Sequence, residues 1–189
     1  MSPEERAEQK IGTVLPDITL TSLVSPAETW RLHETAARGR GALIVFWSSV
    51  CSHCARYDQY LQTFSERHPD LAIAGIASRQ NETADEIRAA LDARDLKFPM
   101  LYDTGSAVAR QLFTQQTPRV FLVDANSRLI YRGAIDNFKY PEDSEYEPYL
   151  EPAIESLLAG RLVARPDTPS FGCVIMSVYY TIPRPLKKT

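Results

Sequence analysis

Along the chain, unbroken apolar runs of strand length alternate with apolar positions spaced three and four residues apart, a pattern that predicts an α/β fold. One or two short strands are expected around Ile18 to Leu32. The run ALIVFW at 42–47 reads as a central strand buried on both faces. From Ser52 to about Arg67, Tyr57, Leu61 and Phe64 fall on one side of a single amphipathic helix. LAIAGIAS at 71–78 is a second buried strand. Thr83 followed by Glu86 fits a capping box, and Ile87, Ala90 and Leu91 give the helix behind it an apolar face. A shorter helix is predicted near Ser106 to Phe113. RVFLVD (119–124) and RLIYRGAID (128–136) flank Ala-Asn-Ser and predict an antiparallel hairpin. Tyr149, Leu150, Ala153, Ile154, Leu157 and Leu158 mark a last helix, stopped at Gly160. The tail from Arg161 carries prolines and Cys173 and turns apolar again over VIMSVYYTI. So apolar a segment is expected to be ordered, adding a strand or covering a face of the core.

These elements fit a single domain over 1–189, with an N-terminal extension at 1–40, a core at 41–160 and a tail at 161–189 packing on that core. The 21 basic and 24 acidic residues, net charge −3, are mixed along the chain with no basic block. Nothing steers it toward nucleic acid. The longest strongly apolar run, Ala42 to Trp47, is far below the ~20 residues that span a bilayer, so no membrane insertion is expected. The hydrophilic opening MSPEERAEQKIGT lacks the apolar stretch of a signal peptide. As it stands the chain reads as cytoplasmic; a trimmed leader would make it extracytoplasmic.

Three cysteines are too few for a secreted disulfide scaffold, so their placement matters more than their number. Cys51 and Cys54 form a Cys-x-x-Cys pair where a strand ends and a helix begins. There, unpaired backbone N–H groups and the positive end of the helix dipole favour an anion, which predicts a stabilised Cys51 thiolate. Cys54, one turn in and more buried, is expected to stay protonated and to act as the resolving thiol. A protonated His53 ring between them would add positive charge beside Cys51. Two other readings stand beside this redox couple. An inert staple is disfavoured because so small a loop gains little entropy on closure. Half of a zinc site would need Cys173 and one of His33, His53 or His68 to complete it. Covalent haem attachment is excluded because Ala55 follows Cys54. No cofactor and no metal are expected.

With FW ahead of the pair, CxxC, and TPRVFLVD (117–124) downstream, the chain resembles the thioredoxin-fold redoxins of the TlpA/ResA type. FPMLYD (98–103), YRGAID (131–136), LLAG (157–160) and TPSFGCVI (168–175) extend the resemblance to bacterial thioredoxin-like proteins related to the AhpC/TSA group. It implies a central mixed sheet flanked by helices. It implies a cis Pro118 facing the cysteines, and a Thr117 backbone that pairs with a bound cysteine-containing chain as an added strand. Trp47 resembles the tryptophan those proteins carry beside the site, where it would contact substrate. The activity implied is thiol–disulfide exchange with protein or small-molecule thiols and disulfides, Cys51 and Cys54 being the couple and Cys173 an accessory thiol.

Departures from those patterns bear on the chemistry. A peroxiredoxin proline is replaced by Ile44, and the alignment puts Pro118 where that family has an arginine, with Arg119 one step beyond. Both weaken a thiol-peroxidase reading, which remains the main alternative beside a metal-binding or copper-delivery module. The buried aspartate of thioredoxin is replaced by Val45. The Ser-His dipeptide between the cysteines is nearer to the Pro-His of DsbA-like oxidants than to Gly-Pro, favouring a poise more oxidising than ~−270 mV. The segment YPEDSEYEPYLE (140–151) is expected to be a solvated approach to the last helix, and His33 and His68 surface residues.

Overall fold

The computed structural model describes residues 9–140 and 145–175. In chain order the elements are β1 (Thr19–Thr21), β2 (Thr29–Arg31), α1 (Leu32–Ala37), β3 (Gly41–Trp47), α2 (Ser52–Ala55), α3 (Asp58–Gln62), α4 (Phe64–Arg67), β4 (Ala72–Ala77), α5 (Ala84–Ala93), β5 (Met100–Tyr102), α6 (Ala107–Gln111), β6 (Gln116–Thr117), β7 (Arg119–Asp124), β8 (Leu129–Gly133), α7 (Leu150–Leu158) and β9 (Cys173–Val174). Of VIMSVYYTI, only Val174 and Ile175 are among the described residues, and 141–144 of the acidic segment also lie outside them.

The central sheet has the order β5-β4-β3-β7-β8. β3 pairs parallel with β4 and antiparallel with β7, so the sheet is mixed. Every residue of β3 is buried, as its unbroken apolar run predicts. The pleat sends Leu43, Val45 and Trp47 into one core with Phe64 of α4, Ile87 of α5 and Ile154 of α7. Ala42, Ile44 and Phe46 go into a second core with Leu32 of α1 and Val108 of α6. Helices therefore cover both faces of the sheet.

The helix expected over 52–67 is broken into α2, α3 and α4. Tyr57 and Thr63 sit near φ −95°, ψ 0°, outside helical values. Tyr57 N–H bonds back only three residues, to the Cys54 carbonyl at 2.9 Å, and the Thr63 hydroxyl donates to the Gln59 carbonyl at 3.0 Å. Periodicity reports which side of a segment is buried, and these breaks leave that side intact. The predicted capping box at Thr83 and Glu86 is present in full. α7 ends as expected at Gly160, whose φ of 66° suits a residue without a Cβ, and Arg161 N–H closes back on the Ser156 carbonyl at 2.8 Å.

His33 and His68 are more enclosed than expected of surface residues. The His33 ring bonds the Leu15 carbonyl at 2.8 Å. The His68 side chain, 12% exposed, pairs with Glu151 at 3.0 Å and lies against Phe64.

Candidate active site

Cys51 sits at the end of the loop leaving β3, as the residue preceding α2, and Cys54 lies within that single turn. The Cys54 N–H bonds the Cys51 carbonyl at 3.0 Å, and the Cys51 N–H the Ser48 carbonyl at 3.2 Å. The loop is clamped from two sides. The buried Glu82 carboxylate accepts from the Ser49 N–H at 2.7 Å and from the Ser49 hydroxyl. Arg94 donates to the Ser49 carbonyl at 2.5 Å and to Asp58 at 3.0 Å. Neither Glu82 nor Arg94 stands out in the sequence. One sits in a polar loop and the other at a helix end, where a charged residue ordinarily faces solvent.

All three cysteines are free thiols, and all three converge. The Thr117–Pro118 bond is cis. Cys51, 1% exposed, donates its S–H to the Thr117 carbonyl at 3.3 Å. Its pKa is lowered from 9.0 to about 4, first by the hydrogen bond from the Cys54 thiol. Burial works the other way, and hydrogen bonds from Cys173, the Thr117 hydroxyl and the Cys54 N–H add to the lowering. Thus the thiol form donates to the Thr117 carbonyl, whereas the thiolate accepts from its neighbours. Cys54 is pushed well above 9.0, by burial and then by the adjacent Cys51 sulfur. For Cys54 the leading cause is burial, as expected; for Cys51 it is the hydrogen bond from the facing Cys54 thiol rather than the expected dipole and His53 charge.

His53 points elsewhere. Its ring meets Phe171 edge-on, with centroids 5.2 Å apart, and its backbone N–H bonds the Cys173 sulfur. Cys173 is raised to about 11, by burial and then by Cys51, with Arg79 and the His53 N–H acting in the opposite direction. Trp47 does not reach substrate space. It is wholly buried, and its indole N–H donates to Asp58 at 2.9 Å, so it braces the wall behind the cysteines and has no surface to offer a ligand.

Beside the cysteines lies an open cleft of about 620 Å³, lined by His53, Tyr57, Pro118, Asp136, Asn137 and Phe171 among others. Tyr57 donates to Asp136 at 2.5 Å, and burial followed by that carboxylate pushes the phenol's pKa upward. Among the described residues, no group of three or more His, Cys, Asp or Glu side chains is arranged to hold a metal ion, and no helix is long and apolar enough to cross a membrane.

The Redoxin family model matches residues 10–150. The thiol-disulfide oxidoreductase ResA of Bacillus cereus is 26% identical over 129 residues, covering 68% of this chain and 71% of that one. A hypothetical protein of Sinorhizobium meliloti 1021 superposes with a TM-score of 0.77 at 26% identity, covering 89% and 95% of the two chains. The thioredoxin domain of a thiol-disulfide oxidoreductase from Bacteroides vulgatus superposes with a TM-score of 0.56 at 19% identity, over 66% of this chain and 89% of that domain. The fold is the thioredoxin fold.

Proposed function

This chain belongs to the Redoxin family, and we propose that within it the chain works as a thiol–disulfide oxidoreductase through the Cys51/Cys54 couple. The observation that carries the reading is the opposed behaviour of two adjacent sulfurs: Cys51 is held as a thiolate while Cys54 is kept protonated behind it. The name of the ResA relative supports the same reaction class. In the reduced protein the Cys51 thiolate attacks a substrate disulfide, forming a mixed disulfide and releasing one substrate thiolate. Cys54 loses its proton, attacks Cys51 Sγ and releases the second thiolate, leaving a Cys51–Cys54 bond. Run in reverse, the same steps oxidise a dithiol. Thr117 borders the reacting sulfur, and the cleft lined by His53 and Pro118 supplies room for a thiol or disulfide substrate, from a protein or a small molecule.

The test is thiol trapping and peptide mass spectrometry across a series of glutathione redox ratios, on Cys173→Ser, where only one internal bond can include Cys51. A Cys51–Cys54 disulfide that closes and opens along the series, and that is absent in Cys51→Ser, supports the reading. If the pair never closes, the couple is wrong.

A further inference from the structure

The tail crosses the site between two anchors. At the first, the Arg132 N–H donates to the Pro166 carbonyl at 2.9 Å, the Thr168 N–H to the Arg132 carbonyl at 3.0 Å, and the Thr168 and Tyr131 hydroxyls meet at 2.6 Å. Gly133, at φ 149°, makes this approach possible, because a Cβ there would overlap Thr168. At the second, β9 pairs antiparallel with β6, Thr117 opposite Cys173, and the Thr117 hydroxyl donates to the Cys173 carbonyl at 3.4 Å. A Cβ on Gly172 would strike the Thr117 carbonyl. Just beyond, the buried Ile175 donates its N–H to the Gln115 carbonyl at 2.9 Å and accepts from the Gln80 N–H at 3.2 Å.

Between the anchors, Phe171 lies on His53 and the Cys173 sulfur meets both the His53 N–H and Cys51. Strand addition is a common way for an exposed sheet edge to receive an extended chain. Here the edge at Thr117 is already paired, and the residue opposite it is a cysteine of the same chain.

Resting on the proposed Cys51/Cys54 couple, we infer that Cys173 is a third redox thiol and the chain's own first exchange partner. Its thiolate attacks Cys51 Sγ of the Cys51–Cys54 disulfide; a Cys51–Cys173 bond forms, and the electron pair of the broken bond goes to Cys54, which takes up the proton Cys173 released. No external oxidant is needed, because one disulfide replaces another. Two of the causes that keep Cys173 protonated come from Cys51 itself, its hydrogen bond and its charge. Both vanish once Cys51 is in a disulfide, leaving burial against the attacking thiolate and Arg79 and the His53 N–H in its favour.

Cys173 is the more exposed of the two residues in the relayed bond. Cys51, with its low pKa, is the better leaving group. An incoming thiolate therefore attacks Cys173, forming a mixed disulfide there and releasing the Cys51 thiolate. This resolves an otherwise awkward feature, a nucleophile 1% exposed beneath its own tail.

The experiment oxidises full-length Cys54→Ser with oxidised glutathione and maps its disulfides by peptide mass spectrometry. The expected product is an internal Cys51–Cys173 bond, in excess of the Cys51–glutathione adduct by about tenfold or more, since a neighbouring thiol has a high effective concentration. A stable Cys51–glutathione adduct with Cys173 free to alkylate overturns the inference. Adding Gly172→Val, which unseats β9 while keeping Cys173, should shift the product toward the glutathione adduct by about tenfold; an unchanged ratio overturns strand pairing as the means of delivery. Wild type, acid-quenched during the same titration, should show Cys51–Cys173 beside Cys51–Cys54, and the latter alone at every ratio also overturns the inference. Failure of the couple itself looks different, because Cys173→Ser then forms no Cys51–Cys54 bond.

Discussion

Replacing Cys54 by alanine tests the electrostatics on which the chemistry stands. The hydrogen bond from the Cys54 thiol is the largest of the influences that bring Cys51 to about 4. A hydrogen bond to a charged group contributes about 1.5–3 kcal/mol, and each pKa unit is about 1.4 kcal/mol, so its loss should raise the Cys51 pKa by about one to two. The remaining donors, Cys173, the Thr117 hydroxyl and the residue 54 N–H, keep the value below that of a free thiol. The assay is the ultraviolet thiolate absorbance of the reduced protein as a function of pH. Cys173 titrates at about 11 and Cys54 well above 9.0, so an acid-side step belongs to Cys51 alone. In wild type the thiolate is present at neutral pH and is lost as pH falls through about 4. In Cys54→Ala that loss begins at higher pH, whereas Cys54→Ser, which keeps a donor, stays near wild type. If Cys54→Ala and wild type share one midpoint, the facing thiol is not what stabilises Cys51. A wild-type step near 9 would refute the whole arrangement.

Trp47→Phe removes the donor to Asp58 while Arg94 still holds its other oxygen. It should cost about 1–3 kcal/mol in denaturant unfolding and leave the Cys51–Cys54 midpoint potential unchanged; the reverse pattern would return Trp47 to the substrate side. Gly133→Ala drives a Cβ into Thr168 from a positive-φ position and should cost about 1–3 kcal/mol, with faster proteolysis in the tail as a local readout. Chelation before the glutathione titration should leave the disulfide midpoint where it was. Stoichiometric metal in the purified protein, lost in Cys54→Ser, would instead favour the metal-delivery alternative.

Local pattern carried a large part of this molecule. The buried run of β3, the capping box at Thr83, the hairpin at Asp124 to Arg128 and the Gly160 stop all depend on residues within one turn or one strand of each other, so the sequence exposes them directly. The same holds for Cys51 and Cys54, three positions apart at a strand-to-helix junction. Their unequal acidity has two causes, the hydrogen bond that Cys51 accepts from Cys54 and the burial of Cys54.

What depended on residues far apart in the chain was not legible. Glu82 and Arg94 clamp the Ser49 backbone from 33 and 45 residues away, and a lone charged residue in a loop or at a helix end carries no mark of such a partner. Trp47 occupies the expected place in sequence, but only the packed fold turns its indole inward to Asp58. The tail could be read as apolar and as holding a cysteine; which edge it would join could not. Sequence alone determined the alternation of elements and the place of the Cys-x-x-Cys pair, because short-range periodicity and spacing encode them. Tertiary structure alone decided that Cys173 pairs opposite Thr117 and meets Cys51, because strand register between segments 56 residues apart is set by packing and by the glycines that let backbones approach.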